Sequence, residues 1–184
     1  ARLCSFVAIA QGQVSQDHWF SLGRLLIAPR GEPLLVSWSG SMFEYLMPRL
    51  LMREYPDTII HQSYQAAVAE QNAWSEKHDI PWGISESGFY AFDGDLNYQY
   101  RAFGAPGLAF KRGLETEQVI APYASLIALP IKPQAVFSNM QRLNANQALG
   151  AYGYYESIDY TDLRVPLGYP YAVVREYMAH HQGM

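Results

Sequence analysis

The sequence is poor in cysteine: Cys4 is the only one among 184 residues. A lone cysteine cannot close an internal disulfide or build a thiolate zinc site, so we expect neither to stabilise the fold. The sequence also lacks a run of about 20 apolar residues, the length needed to span a bilayer. The nearest such stretch, residues 123–131, is short and is bounded by prolines. We therefore expect the chain itself to be soluble.

Basic charge is scarce as well. Lys and Arg together number 13 against 17 Asp and Glu, which gives a net charge of -4. Without a basic field to hold a phosphate backbone, nucleic acid is disfavoured as a partner. By contrast, apolar residues make up 49% of the chain and charged residues 16%, so a real core can form and a disordered segment is excluded.

Aromatic residues are abundant, with 14 Tyr, 8 Phe and 4 Trp. Tyrosine combines an apolar ring with a polar tip, so this excess suits a wetted aromatic surface as well as a core. The aromatic residues concentrate in two stretches, 81–113 and 150–171, where the helical period disappears. A loop of about thirty residues in a compact domain is usually functional. We interpret both stretches as aromatic loops that carry the chemistry.

Helical periodicity governs the rest of the chain. Apolar residues from Ile60 to Trp74 recur at spacings of three and four, which predicts an amphipathic helix. A second helix is predicted from Pro133 to Leu143, with proline in its first turn. The final segment, 172–184, is also interpreted as helical. The pattern therefore predicts an all-α fold with long aromatic loops and at most short strands.

Each aromatic stretch contains a glutamate between rings, Glu86 in the first and Glu156 in the second. Flat aromatic platforms with hydrogen-bonding carboxylates suit sugar rings, which have apolar faces and polar rims. Cleavage of a glycosidic bond needs a carboxyl pair, one protonated by virtue of apolar surroundings and the other ionised. We predict Glu86 and Glu156 as this pair. The alternative is that both are structural carboxylates that accept hydrogen bonds from nearby backbone N–H groups.

Other motifs point less clearly to chemistry. Glu176 and His180 share a predicted helical face, but no third ligand and no HExxH pattern accompany them, so no metal site is predicted. Residues 83–87 lack the final glycine of the G-x-S-x-G elbow, which disfavours a serine hydrolase. Trp38 and Trp82 precede glycine-containing turns that can expose an indole as a platform, and the alternative for both is a place in the core.

Several segments resemble the glycoamylase-like domain of cyclic β-1,2-glucan synthases. The resemblance covers essentially the whole chain, and its motifs are SWSGSMFEYLMP (37–48), WGISESGFYAFD (82–93), GAYGYYESIDYT (150–161) and AHHQGM (179–184). It implies a glycoamylase-like glycoside hydrolase with an (α/α)6 toroid, in which helices form two concentric rings and the active site lies at one mouth. Because 184 residues hold about half of twelve helices, we expect residues 1–184 to be a fragment of one such domain, truncated at both ends.

The resemblance also implies a function. The glycoamylase-like domain of these synthases is credited with cyclising a linear β-1,2-glucan by transglycosylation. Carried over to this chain, Glu86 would be the acid/base and Glu156 the nucleophile of a retaining reaction. The sugar subsites would be lined by Trp38, Trp82, Tyr90, Tyr154, His180 and His181, with Asp93 and Asp159 as polar contacts. No cofactor is implied.

The implied partners are a β-1,2-glucan chain, the remaining helices of the domain, and the glucosyltransferase and phosphorylase-like domains of a parent chain. That parent is expected at the cytoplasmic side of the bacterial inner membrane. Three alternatives stay open. Water instead of a sugar hydroxyl would make the domain a β-glucan hydrolase. A non-catalytic module would use the aromatics to guide the glucan chain, and a structural helical scaffold would bury them.

Overall fold

The computed structural model describes residues 2–23 and 25–184. This part of the chain forms seven helices and nine short strands. The helices are α1 (Arg2–Ala10), α2 (Asp17–Ser21), α3 (Met42–Leu51), α4 (Ile59–His78), α5 (Pro122–Leu126), α6 (Pro133–Ala145) and α7 (Ala179–Gln182). The strands are β1 (Leu26–Ile27), β2 (Leu34–Leu35), β3 (Ser87–Phe92), β4 (Tyr98–Arg101), β5 (Val119–Ile120), β6 (Leu149–Gly150), β7 (Gly153–Tyr154), β8 (Ser157–Asp159) and β9 (Ala172–Val174).

The predicted all-α fold, a partial (α/α)6 toroid, is wrong. The strands pair into four small antiparallel sheets, and four of the nine described strands, β3, β4, β7 and β8, lie entirely within the stretches interpreted as aromatic loops. In the first stretch, β3 and β4 form a hairpin. In the second, β6 pairs with β7, and β8 is the central strand of the sheet β5-β8-β9. Aromatic and β-branched side chains fit a pleated surface, so the same residues that broke the helical period favour strands.

The longest predicted helix is confirmed as α4. Its N-cap is Thr58, whose side-chain oxygen accepts a hydrogen bond from the backbone N–H of His61 at 3.2 Å. The buried side chain of Gln71 donates to the carbonyl of Ile84 at 2.7 Å and accepts from its N–H at 2.8 Å. The helix thus holds the segment that leads directly into Glu86. The predicted helix that begins at Pro133 is confirmed as α6.

Side chains from the second aromatic stretch fasten the hairpin to the three-stranded sheet. Ser157 Oγ donates to the carbonyl of Gly88 at 2.6 Å, and Asp159 Oδ2 accepts from the N–H of Tyr90 at 3.1 Å. These bonds join residues 69 positions apart in the chain. They bring the N-terminal end of β3, where Glu86 lies, to the N-terminal end of β8, where Glu156 lies.

One hydrophobic core joins the helices to the sheets. Its fully buried members include Leu34, Met42, Leu46, Val68, Phe103, Leu108, Leu143 and Ile158. Asn139 on α6 provides a polar anchor inside it, because its side chain bonds both the N–H and the carbonyl of Trp82, at 2.9 and 2.7 Å. Within the described ranges, no helix combines the length and apolar character needed to cross a bilayer.

Gly104 lies where two backbone segments meet without room for a side chain. A Cβ at this position would overlap the carbonyl oxygen of Ser39, and backbone cannot move aside as a flexible side chain can. We expect Gly104→Ala to destabilise the fold by about 3 kcal/mol or more. Gly94→Ala is the control, since a Cβ there meets nothing within 4 Å. Equal denaturation midpoints for the two variants would contradict the packing described here.

Candidate active site

Glu156 is the most buried carboxylate of the candidate site, with 2% of its surface exposed. Its Oε1 accepts hydrogen bonds from the N–H of Gly88 at 3.1 Å and from Nδ1 of His181 at 2.8 Å. Its Oε2 is buried and has no hydrogen-bond partner in the described part of the chain. Buried polar atoms in native proteins are nearly always paired, so an unpaired carboxylate oxygen indicates a place for a ligand.

His181 lies on α7 and is equally buried. Its ring stacks on that of Tyr123, with 3.9 Å between centroids and an interplanar angle of 17°. An ionised carboxylate only accepts hydrogen bonds, so Nδ1 of His181 donates to Glu156. Nε2 is buried and, among the described residues, has no partner. The sequence analysis placed His181 in a sugar subsite but gave no reason to join it to Glu156.

Glu86 immediately precedes β3 and is half-buried. Its Oε2 accepts a hydrogen bond from the hydroxyl of Tyr100 at 3.3 Å. Burial, and then the negative charges of Glu86 and Glu156, raise the pKa of Tyr100. Burial and both carboxylates likewise raise the pKa of Tyr123, against the bond to Ser85 that lowers it. The charges of both glutamates thus act on the same two hydroxyls, and Glu156 bonds the backbone of Gly88, two residues after Glu86.

Glu176 is a third carboxyl at this site. Its backbone carbonyl accepts from the N–H of Glu156 at 2.9 Å, which extends the pairing of β8 and β9. A Cβ placed on Gly88 would lie 3.2 Å from both Glu156 Cγ and Glu176 Oε2, so the two glutamates flank this glycine. From the sequence, Glu176 was considered only as a metal ligand together with His180 on a predicted helix, and nothing there placed it beside Glu156.

The environment of Glu176 disfavours its charged form. Burial, and then the negative charge of Glu156, raise its pKa above the ordinary 4.5. The folded state therefore binds this proton more tightly than the unfolded chain does. The stability that results is complete below the unfolded pKa and is lost as pH rises through the raised folded pKa.

We accordingly expect Glu176→Gln, which keeps a neutral side chain of similar shape, to lose less stability than the unchanged protein as pH rises from about 4 to about 7. Denaturant unfolding across this range measures the difference. Glu115→Gln, at an exposed position, is the matched control and should follow the unchanged protein. If the free energy of unfolding changes with pH in the same way for Glu176→Gln and the unchanged protein, ionisation of Glu176 does not destabilise the fold and the prediction is wrong.

An aromatic cavity adjoins Glu156, and neither Glu86 nor Glu176 lines it. Its volume is about 160 Å³, and its lining includes Tyr154, Tyr155, Glu156, His181 and Tyr123. This is smaller than the roughly 300–1,000 Å³ of pockets for drug-sized ligands, so it suits one sugar ring rather than a chain. A larger cavity of about 380 Å³ lies along α4 and includes none of the predicted site residues.

The remaining predicted aromatics do not line this cavity. Trp38 is 71% exposed on the loop before α3, and Tyr90 packs edge-on against Phe92 on the hairpin. Trp82 is 3% exposed and belongs to the core, with no open ring face. His180 is exposed and neighbours His181, with 4.0 Å between ring centroids.

Asp93 and Asp159 use their carboxylates within the protein. Asp93 is exposed in the β3–β4 turn, and hydrogen bonds from Asn97 and Asp95 outweigh burial and lower its pKa. Asp159 is fully buried and accepts from the N–H of Tyr90 and from Nε of Arg164, the latter at 2.7 Å. Neither carboxylate lines the cavity beside Glu156.

A buried carboxylate, Glu156, beside an aromatic cavity is compatible with a site for sugar rings. The comparisons with known proteins agree: the chain belongs to the Glycoamylase family, described as "Putative glucoamylase", which it matches over residues 2–184. It is 50% identical over all of its 184 residues to the cyclic β-(1,2)-glucan synthase NdvB of Rhizobium meliloti (strain 1021). The chain spans only 6% of that relative's length.

Solved structures show the same fold at low sequence identity. An endo-β-1,2-glucanase from Chitinophaga pinensis, in complex with sophorotriose and glucose, superposes with a TM-score of 0.61 and 18% identity over 90% of this chain and 40% of its own. A glucoamylase-like protein from Bacteroides uniformis, titled a "putative glucoamylase", gives 0.59 and 18% over 89% of this chain and 39% of its own. These similarities confirm a glycoamylase-like fold and identify this chain with part of it.

Proposed function

We propose that this chain is a carbohydrate-active domain that acts on β-1,2-glucan by retaining transglycosylation and closes the linear glucan into a ring. The observation that carries this proposal is the unpaired, buried Oε2 of Glu156 beside an aromatic cavity. The substrate follows from the similarity to a cyclic β-(1,2)-glucan synthase. A structural neighbour titled as an endo-β-1,2-glucanase supports the same linkage.

In the first step, Glu156 Oε2 attacks the anomeric carbon of a glucosyl residue. The C–O bond to the leaving sugar breaks, and Glu86 gives its proton to the departing oxygen. The products are a glycosyl ester on Glu156 and an ionised Glu86. The hydrogen bonds from Gly88 and His181 to Oε1 keep the carboxylate oriented so that Oε2 remains available.

In the second step, a hydroxyl group at the other end of the same glucan attacks the anomeric carbon of the glycosyl ester. Glu86 takes the hydroxyl proton, the bond to Glu156 breaks, and both carboxyl groups return to their starting states. Two inversions give net retention. One glycosidic bond is broken and one is formed, so no water is consumed when the chain closes on itself.

Hydrolysis is the second candidate, and the endo-β-1,2-glucanase fold favours it. It uses the same ester, which water instead of a sugar hydroxyl then attacks. A non-catalytic chain-guiding module fits the geometry less well, because an open glucan track does not require a carboxylate as buried as that of Glu156. From the likeness to a synthase, we also propose the glucosyltransferase and phosphorylase-like parts of a longer chain as partners, at the cytoplasmic side of a bacterial inner membrane.

The test is to incubate the full-length protein with linear β-1,2-glucan and to analyse the products by mass spectrometry and by NMR of the anomeric protons. Transglycosylation predicts cyclic glucans. Each has the mass of a linear chain with the same number of glucose residues minus one water molecule. Hydrolysis predicts shorter linear chains with new reducing ends. Unchanged glucan that nevertheless binds would overturn both catalytic proposals in favour of a guiding module.

A further inference from the structure

The imidazole of His181 has one nitrogen that the mechanism above does not use. Nδ1 contacts Glu156 Oε1 at 2.8 Å, whereas Nε2 is buried with no hydrogen-bond partner in the described residues. The ring is also fixed in its plane, because it stacks on Tyr123 with an interplanar angle of 17°. A ring that is bonded at one nitrogen and stacked on one face holds its other nitrogen in a constant direction.

The protonation of the ring follows from its partners. The carboxylate of Glu156 accepts, so Nδ1 carries the hydrogen, and in the neutral ring Nε2 is an acceptor. The ring hydroxyls that face His181 are already engaged. Tyr123 donates to the carbonyl of Glu86 at 2.9 Å and accepts from Ser85 Oγ at 2.8 Å, and Tyr100 donates to Glu86 Oε2. Nε2 is therefore a buried acceptor for which these hydroxyls supply no donor.

We propose that Nε2 of His181 accepts a hydrogen bond from a hydroxyl group of the glucosyl residue bound beside Glu156, while Nδ1–H holds Glu156 in place. This inference rests on the proposed function for the identity of the ligand. Both side chains line the same cavity, and both have an unpaired atom. A sugar hydroxyl would donate the hydrogen bond that Nε2 lacks. Because Nδ1 of the same ring bonds Glu156, substrate binding would then be coupled to the position of the nucleophile.

The two nitrogens can be tested separately with three substitutions in the full-length protein. His181→Asn places an amide nitrogen near Nδ1 and removes Nε2, whereas His181→Gln places its amide near Nε2 and removes the donor at Nδ1. His181→Phe keeps a ring against Tyr123 and removes both nitrogens. All three are assayed on linear β-1,2-glucan for kcat and KM separately.

We expect His181→Asn to raise KM about 10-fold with little change in kcat, since it loses a contact to bound sugar. We expect His181→Gln to lower kcat about 10–100-fold with little change in KM, since it loosens Glu156. His181→Phe should show both effects. Equal losses of kcat in the Asn and Gln variants, with KM unchanged, would reduce His181 to a structural role and overturn the proposal.

A second measurement does not depend on the variants being folded. In protein labelled with 15N-histidine, the ring nitrogens of His181 should report Nδ1 as protonated and Nε2 as unprotonated, and a β-1,2-linked gluco-oligosaccharide should shift Nε2. A proton on Nε2 instead of Nδ1, or an Nε2 resonance that saturating oligosaccharide leaves unmoved, overturns the inference.

The two measurements also separate this inference from the proposed function. A shifted Nε2 without any bond transfer refutes the proposed catalysis and keeps the hydroxyl contact. Bond transfer with an unmoved Nε2 refutes the contact and keeps the catalysis. Neither transfer nor binding refutes both.

Discussion

Glu156→Gln in the full-length protein should abolish both cyclic and hydrolysed products from β-1,2-glucan, by about 10,000-fold or more. The amide oxygen of glutamine still accepts from the N–H of Gly88, so the loop keeps its conformation. What is lost is the negative oxygen that forms the glycosyl ester, because an amide is not a competent nucleophile. The rate of product formation measured by chromatography, with circular dichroism as a check on folding, tests this expectation.

Glu115→Gln provides the matched control, since the same change in charge occurs at an exposed position away from the cavity. It should retain the activity of the unchanged protein. Cyclic product from Glu156→Gln at more than about one hundredth of the normal rate would remove Glu156 from the role of nucleophile. The unpaired Oε2 would then be explained by substrate binding alone.

Sequence periodicity predicted the two longest helices, α4 and α6, but not the strands, and the prediction of a helix over 172–184 is wrong because β9 and the four-residue α7 form there. The spacing of apolar residues over α4 indicates one helical face that packs on the core. This pattern can be recognised within the twenty consecutive residues of the helix. The strands of the hairpin are only six and four residues long, and their register shifts between Phe89 and Phe92. A bulge breaks the alternation by which a strand is identified from sequence. The aromatic stretches were therefore interpreted as loops.

The candidate site also combines features that are local in the sequence with contacts that are not. Glu86 and Glu156 were predicted from their immediate aromatic neighbours, which are local. The contacts that join them are not local, since Glu156 bonds the N–H of Gly88 across 68 residues and Nδ1 of His181 across 25. The position of Glu176 beside Glu156 was not predicted. It depends on the pairing of β9 with β8, which the local sequence does not indicate. For Trp82, the local sequence was compatible with an exposed indole that could serve as a platform. The long-range contact with Asn139 instead holds the backbone of Trp82 inside the core.

The surroundings of the three carboxyl groups differ, and they support different proposed roles. Glu156 is buried, accepts two hydrogen bonds through Oε1 and has a free Oε2, which suits the ionised nucleophile. Glu86 is half-buried and accepts a hydrogen bond from the hydroxyl of Tyr100, and the proposal assigns to it the exchange of a proton with the substrate. Glu176 lies against Gly88, and burial and the negative charge of Glu156 raise its pKa.

Glu86→Gln should reduce transglycosylation of natural β-1,2-glucan by about 1,000–10,000-fold, because glutamine cannot protonate the leaving oxygen. An aryl glycoside of the same sugar has a leaving group that departs without a proton, so its first step should survive the substitution. The glycosyl ester on Glu156 should then accumulate, and azide, which attacks without general-base help, should accelerate turnover and give a product of retained configuration. Burst kinetics and mass spectrometry of the intact protein measure these effects.

Tyr100→Phe is the companion variant, since it removes the hydroxyl that donates to Glu86 Oε2 and leaves the carboxyl itself. We expect it to keep most of the activity and to need no azide. If Glu86→Gln loses as much activity on the aryl glycoside as on the natural glucan, Glu86 is not the proton donor. The raised pKa of Glu176 and its place beside Glu156 would then make Glu176→Gln the decisive variant in the same azide assay. Either result assigns the acid/base role to one carboxyl, because only the variant that lacks the proton donor is rescued by azide with retained configuration.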